Sequence, residues 1–140
     1  MLGYNQHFFF GKLFLFVSNS IIKEDKEVVI LQKNLPELLA PAGSWEALVA
    51  AVQNGANAVY MGGTKFSARR LADNFDNQAL RRAVEYAHLY GVRIYITVNI
   101  LIKERELEEL KAFLKELEEY KVDGVIVQDL GAARLIAKHH

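Results

Sequence analysis

Cysteine is absent from this 140-residue chain, and neither sign of charge is in excess. Without cysteine, the chain holds no disulfide, no catalytic thiol and no cysteine-ligated zinc or iron–sulfur cluster. Seventeen basic residues balance seventeen acidic ones, so there is no overall attraction to nucleic acid or to an anionic membrane. Any basic cluster that binds phosphate must therefore be local.

Histidine, the other common metal ligand, is also scarce. The four histidines are His7, His88, His139 and His140, and no three of them are placed to converge on one ion. The sequence predicts no metal and no cofactor bound by this chain. Hydrophobic residues make up 51% of the chain, which is typical of a folded domain and excludes extended disorder.

Residues 1–34 differ in character from the rest. Their aromatic-rich run, Phe8 to Val17, is shorter than the roughly 20 apolar residues that a membrane span needs. Lys12 interrupts the run and no basic residue precedes it, which argues against a secretory signal. We expect an N-terminal extension outside the fold, either an appendage or translated upstream sequence, in a cytoplasmic protein without membrane contact. A signal or membrane-surface role is the alternative.

From residue 35 onward, short apolar runs alternate with longer amphipathic ones, which predicts four β-α units. Ser44 has N-cap chemistry for the first helix, and Asn54-Gly55 and Gly91 end the first two helices. The predicted strands cover 37–41, 58–61, 94–99 and 124–129, and the predicted helices begin near Ser44, Asp76, Glu104 and Leu130.

Repeated β-α units form a parallel sheet, as a doubly wound sheet or as a TIM barrel. Residues 40–45 lack the G-x-G-x-x-G of a dinucleotide fold. In the third strand Tyr95, Thr97 and Asn99 share one face, which becomes polar toward the carboxyl end, as in a barrel interior that opens into a pocket. The prediction is therefore an α/β fold of the parallel (β/α) TIM-barrel type. Residues 35–140 would form about the first four units of a barrel that needs about 250 residues.

Several motifs follow one another in the order of a known family, and together they resemble the collagenase-like peptidases, peptidase family U32. They lie at residues 35–44, 55–63, 66–69, 74–75, 83–88, 97–99 and 128–131.

The resemblance implies the N-terminal barrel domain of a longer hydrolase that acts in proteolysis, including collagen degradation in some members. Other members are implicated in hydroxylating a tRNA wobble uridine or a ribosomal RNA cytidine, with cysteines that hold an iron–sulfur cluster. The cysteine-containing signature lies downstream of the matched region and is absent here. We therefore expect this chain to be inactive alone.

Active sites of barrels lie at the carboxyl ends of the strands. Asp129 is the carboxylate at such an end and is predicted to be a general acid or base, with capping of the following helix as the alternative. Asn99 is predicted to be a catalytic contact to the ligand at the barrel mouth, with a purely structural hydrogen bond as the alternative. Gln128, beside Asp129, is assigned to substrate binding. Tyr60 and Tyr95 are expected in the barrel core, and Glu37 lies at the opposite end.

The connection after the second strand is long and basic. Gly62 and Gly63 are predicted to offer backbone N–H groups to an anion, or else to form a tight turn. Lys65, Arg69 and Arg70 are predicted to bind phosphate or carboxylate, with a solvated loop as the alternative.

Three hypotheses follow: a fragment of a U32 peptidase, a fragment of an RNA-hydroxylating enzyme of the same family, or a non-catalytic half-barrel. The substrate is peptide or RNA. A half-barrel would expose two strand edges and its inner face, and would self-associate or pair with a second half.

Overall fold

The computed structural model describes residues 36–68 and 75–139. The predicted extension at 1–34, together with Arg69 and Arg70, lies outside this part of the chain. The elements are β1 (Leu39–Pro41), α1 (Trp45–Gln53), β2 (Ala58–Gly62), α2 (Asn77–Leu89), β3 (Arg93–Val98), a 3-10 turn (Glu104–Glu106), α3 (Leu107–Glu119), β4 (Gly124–Val127) and α4 (Leu130–His139).

The four strands form one parallel sheet in the order β1-β2-β3-β4. Each strand pairs with its neighbour in sequence, as in one arc of a (β/α) barrel, whereas a doubly wound sheet reverses its strand order. The predicted α/β fold with a parallel, barrel-type sheet is confirmed.

The two faces of the sheet differ in composition. Ile94, Ile96 and Val98 are fully buried and belong to the core between sheet and helices, with Val59 and Met61 beside them. Because side chains alternate along a strand, Tyr95 and Thr97 lie on the other face. Tyr95 pairs with Tyr60 and Thr97 with Gly62 on the neighbouring strand β2. The predicted division of β3 into an apolar helix-facing side and a more polar inner side is therefore present.

Helix boundaries follow local capping chemistry. Ser44 Oγ accepts a hydrogen bond from the Ala47 amide at 3.3 Å, and Asp76 Oδ1 accepts one from the Ala79 amide at 2.8 Å. After α1 and α2 the chain reverses through Gly55 and Gly91, at φ values of 86° and 69°. After α3 the same left-handed position is occupied by a lysine, Lys121, with φ of 62°.

The outer strands are shorter than the sequence predicts. β1 begins at Leu39 because the amide of Leu38 donates to the side chain of Asn57 instead of to a strand. β4 ends at Val127 because the carboxylate of Asp129 caps α4. Among the described residues, no helix has the length and apolar character needed to span a membrane.

Candidate functional site

Loops follow the strands at one end of the sheet, which we call the carboxyl edge (residues 42–44, 62–68, 99–103 and 128–131). The opposite end, the amino edge, consists of residues 36–38, 54–57, 90–93 and 120–123. The sequence places every candidate site residue at the carboxyl edge. In the described part of the chain, the structure brings Gly62, Gly63, Lys65, Asn99, Gln128 and Asp129 to this edge.

Gly62, the last residue of β2, and Gly63, which follows it, are in close contact with their surroundings. The Gly62 carbonyl accepts a hydrogen bond from the Phe75 amide at 3.2 Å, and Gly63 forms an isolated parallel bridge with Phe75. A Cβ atom on Gly63 would lie 3.3 Å from both Leu80 Cδ1 and Phe113 Cζ. Gly63 thus allows the helix layer to approach the backbone, and the predicted anion contact stays a prediction.

The next residues are anchored on two sides. Phe66 is 6% exposed, and its ring centre lies 5.7 Å from that of Phe113 on α3. Ser67 is 1% exposed, and its hydroxyl lies 3.1 Å from Thr97 Oγ1 on β3. Phe66 adopts a φ of 59°, a left-handed conformation that is costly for a bulky residue.

Asn99 follows β3 and contacts this same loop. Its Oδ1 accepts a hydrogen bond from the Ala68 amide at 2.9 Å. Lys65 lies on the helix side, where Nζ is 2.8 Å from Glu109 Oε1 and both side chains are about half exposed. The hydrogen bond to Glu109 raises the pKa of Lys65, so the lysine is cationic at neutral pH.

Asp129 is held by backbone amides. Its Oδ1 accepts from Ala132 at 2.9 Å, which caps α4, and its Oδ2 accepts from Ile102 at 3.2 Å. These bonds, that of Ala132 first, lower the pKa of Asp129. The carboxylate is therefore ionised at neutral pH and holds no proton to donate as a general acid. Capping, the alternative considered for Asp129, is what its contacts show; a role as base stays a prediction. Gln128 is exposed beside it.

The amino edge has hydrogen bonds of the same kind, which sequence analysis missed. Asn57 Oδ1 accepts from the Leu38 amide at 2.8 Å, and Asp123 Oδ2 accepts from the Ile94 amide at 2.7 Å. Asp123 Oδ2 also lies 2.9 Å from His88 Nε2. The available signal was a polar residue immediately before a predicted strand.

The amino edge also contains a partly buried ion pair. Arg93 Nη2 lies 2.8 Å from Glu37 Oε1, and the Glu37 side chain is only 12% exposed. Tyr95 is buried below this pair on the inner face, and burial raises its pKa. Glu37 thus pairs with Arg93 at the end of the sheet away from the candidate site, as expected.

The donor side chains of the chain determine whether it can hold a metal ion or an iron–sulfur cluster. Within residues 36–68 and 75–139, no three His, Asp or Glu side chains are grouped to hold a metal ion. An iron–sulfur cluster of the kind the resemblance implies needs thiolates, and the chain has no cysteine to supply one. The residues present do not fit such a group.

Sequence comparison assigns the chain to a family. The sequence model of peptidase family U32 matches residues 43–140, and the chain belongs to this family. The solved structure of the U32 peptidase Mk0906 aligns with a TM-score of 0.63 over 87% of this chain and 49% of that one. At 14% identity, that similarity supports the fold alone.

Three curated relatives differ in what they are named for. The chain is 45% identical over 94 residues to tRNA hydroxylation protein P1 of Bacillus subtilis (strain 168), covering 67% of the chain and 22% of the relative. It is 38% identical to the 23S rRNA 5-hydroxycytidine C2501 synthase of Escherichia coli (strain K12), covering 71% and 15%. It is 32% identical to a collagenase of Porphyromonas gingivalis (strain ATCC BAA-308 / W83), covering 69% and 23%. The chain thus spans about a fifth of these relatives' length.

Proposed function

We propose that this chain is part of an RNA-hydroxylating protein and supplies four strands of its substrate-binding barrel, in the cytoplasm where its substrate resides. The observation that carries the proposal is the 45% identity to a tRNA hydroxylation protein, supported by 38% identity to an rRNA hydroxycytidine synthase. The sequence puts a peptidase first and RNA hydroxylation among the alternatives; these relatives favour RNA hydroxylation.

The geometry of the carboxyl edge is compatible with a phosphate-bearing ligand. Lys65 is half exposed at this edge, and Arg69 and Arg70 follow the anchored Ala68 directly in sequence. Basic side chains next to backbone amides bind phosphate groups. The single chemical role proposed for this chain is to bind and orient RNA, with Gly62, Gly63 and Gln128 as further contacts.

A peptidase is the second candidate, because one relative at 32% identity is named a collagenase. The described carboxyl edge gives this candidate less support. The Ser67 hydroxyl is buried against Thr97, and the Asp129 carboxylate is bound by two amides. An exposed, activated nucleophile would be required for covalent proteolysis.

Nucleoside mass spectrometry separates the two candidates. In cells that lack the gene, we expect a hydroxylated pyrimidine to disappear from tRNA or rRNA and to return when the intact gene is restored. Unchanged nucleosides together with gelatin cleavage by the purified protein would establish the peptidase instead.

A charge-matched pair of variants tests the basic loop. Arg69→Ala with Arg70→Ala should weaken binding of a tRNA transcript and lower the salt slope by up to about 2, because each arginine would neutralise about one phosphate. The control is Arg81→Ala with Arg82→Ala, which removes two exposed arginines from α2. Equal weakening by both pairs would mean that binding reflects overall charge rather than this loop.

We also propose that the inner face of the sheet is covered by a second half-barrel, either a further segment or another copy. Tyr60 and Ile126 on this face are only half-buried, and β1 and β4 each pair with one strand among those described. Size-exclusion chromatography with light scattering should show self-association of the isolated chain. A stable, monodisperse monomer would contradict this proposal.

A further inference from the structure

The connection after β2 differs from the other connections at the carboxyl edge. It runs from residue 63 to 76, whereas 42–44 joins β1 to α1, 99–106 joins β3 to α3 and 128–129 joins β4 to α4. Long connections in compact domains are often functional. Within it, residues 67 and 68 hydrogen-bond to Thr97 of β3 and to Asn99 directly after β3.

The backbone conformation of residues 64–68 depends on contacts from other elements of the fold. Phe66 has a left-handed φ of 59°, which persists only where surrounding contacts impose it. One such contact is the burial of the Phe66 ring against Phe113. Two more come from Thr97 in β3, which hydrogen-bonds to Ser67, and from Asn99 just after β3, which accepts a hydrogen bond from the Ala68 amide.

Both of these contacts are made by polar side chains, Thr97 on the inner face of β3 and Asn99 directly after the strand. Thr97 is 7% exposed, and its hydroxyl also lies 3.4 Å from the Met61 carbonyl at the end of β2. An apolar residue of the same shape, such as valine, would fill this position without binding the loop. The hydroxyl of Thr97 and the amide of Asn99 therefore fix residues 67 and 68 relative to the barrel mouth.

We propose that Asn99 and Thr97 are positioning residues, which hold residues 64–68 in the conformation that contacts the RNA backbone. This inference rests on the proposed function and names the part of the edge that orients the substrate. Asn99 thereby acts through the Ala68 amide rather than on the reacting atoms. The ion pair with Glu109 of α3 holds Lys65, the one cation among residues 64–68, on the helix side of this loop.

The chain contains a matched control for Asn99. Asn57 makes the same type of bond at the amino edge, where its Oδ1 accepts from the Leu38 amide at 2.8 Å, against 2.9 Å for Asn99 and Ala68. Both bonds join neighbouring β-α units and both are solvent-accessible. Removing either side chain deletes one hydrogen bond, but only Asn99 touches the loop proposed to bind RNA.

The test measures binding of an unmodified tRNA transcript by the full-length protein as a function of salt. Asn99→Ala should weaken binding about fivefold to tenfold and reduce the salt slope by about 1. Asn57→Ala should leave both quantities unchanged. Thr97→Val should behave like Asn99→Ala, whereas Thr97→Ser, which keeps the hydroxyl, should retain binding.

Hydrogen–deuterium exchange of residues 64–68 accompanies the binding assay, so that loop order is measured apart from RNA. Faster exchange in Asn99→Ala with unchanged affinity and slope would overturn the positioning role. Equal effects of Asn99→Ala and Asn57→Ala on RNA binding would overturn it as well. If the unsubstituted protein binds no RNA at low salt, the proposed function itself fails, and the inference fails with it.

Discussion

The two edges of the sheet use the same chemistry for different purposes. At the amino edge, Asn57 and Asp123 accept hydrogen bonds from the amides of the preceding unit, and they tie short junctions between helix and strand. At the carboxyl edge, Asn99 and Asp129 do the same for the loops that follow β2 and β3. Only the carboxyl edge combines these bonds with a long connection and a buried left-handed phenylalanine.

A polar residue at a strand end is therefore not by itself a sign of catalysis. Asp129 and Asp123 are both aspartates beside β4, and both bind backbone amides. They lie at opposite ends of the strand. Asp129 is at the carboxyl edge, where barrels have their active sites, and Asp123 is at the amino edge, where residues contribute to stability. Substitutions at the two edges should therefore have effects that differ in size, location and sign.

The largest effect is expected at Phe66. Phe66→Ala removes a buried ring and should lower the free energy of unfolding by about 3 kcal/mol. Because φ is 59° there, Phe66→Gly should be no more destabilising than Phe66→Ala. At Phe113, in the middle of α3, glycine should instead cost about 1 kcal/mol more than alanine. Urea unfolding gives the free energy of unfolding of all four variants. If glycine is less stable than alanine at Phe66 as it is at Phe113, the result would argue against a strained conformation at Phe66.

A smaller effect is expected at the two aspartates. Asp129→Ala removes the cap of α4 and the partner of the Ile102 amide, and should cost about 2 kcal/mol. Hydrogen exchange should accelerate at residues 100–103 and at the start of α4. Asp123→Ala should accelerate exchange at the start of β3 instead. Identical exchange patterns would mean that the two carboxylates do not hold separate edges.

Acid should weaken the Asp129 contribution. The pKa of Asp129 is lower in the folded chain than in the unfolded one, so its stabilisation is complete above the unfolded value, about 4. It is lost as the pH falls through the lower, folded value. Stability below pH about 4 should therefore fall less steeply in Asp129→Asn than in the unsubstituted chain. Equal slopes in acid unfolding curves would exclude this contribution.

The smallest effect, with the opposite sign, is expected at the amino edge. Lys121 occupies the left-handed position that glycine holds after α1 and α2, so Lys121→Gly should stabilise by up to about 1 kcal/mol. Gly55→Ala and Gly91→Ala should each cost about 1 kcal/mol, because no atom lies within 4 Å of an added Cβ and only the backbone is affected. Thermal unfolding compares the three; a destabilising Lys121→Gly would show that the lysine side chain contributes more than its backbone strain.

Much of the fold is predictable because its signals are local. The alternation in β3, the cap at Ser44 and the stops at Gly55 and Gly91 follow from spacing and backbone preference. The cross-unit bonds are not predictable in this way, because strand register decides that Asn99 reaches Ala68 and Asp129 reaches Ile102. The parallel sheet predicts the position of the candidate site, and N-cap preference predicts the bond of Asp129 to α4. The bonds of Asn99 to Ala68 and of Asp129 to Ile102 join residues that are 31 and 27 positions apart, and no local pattern predicts them.

Ultraviolet cross-linking of a tRNA transcript to the protein, followed by peptide mass spectrometry, tests most directly whether the carboxyl edge faces RNA. We predict cross-linked peptides from residues 62–70, 99–103 and 128–131. Cross-links concentrated in residues 36–38, 54–57, 90–93 and 120–123 would place RNA at the amino edge and contradict the account.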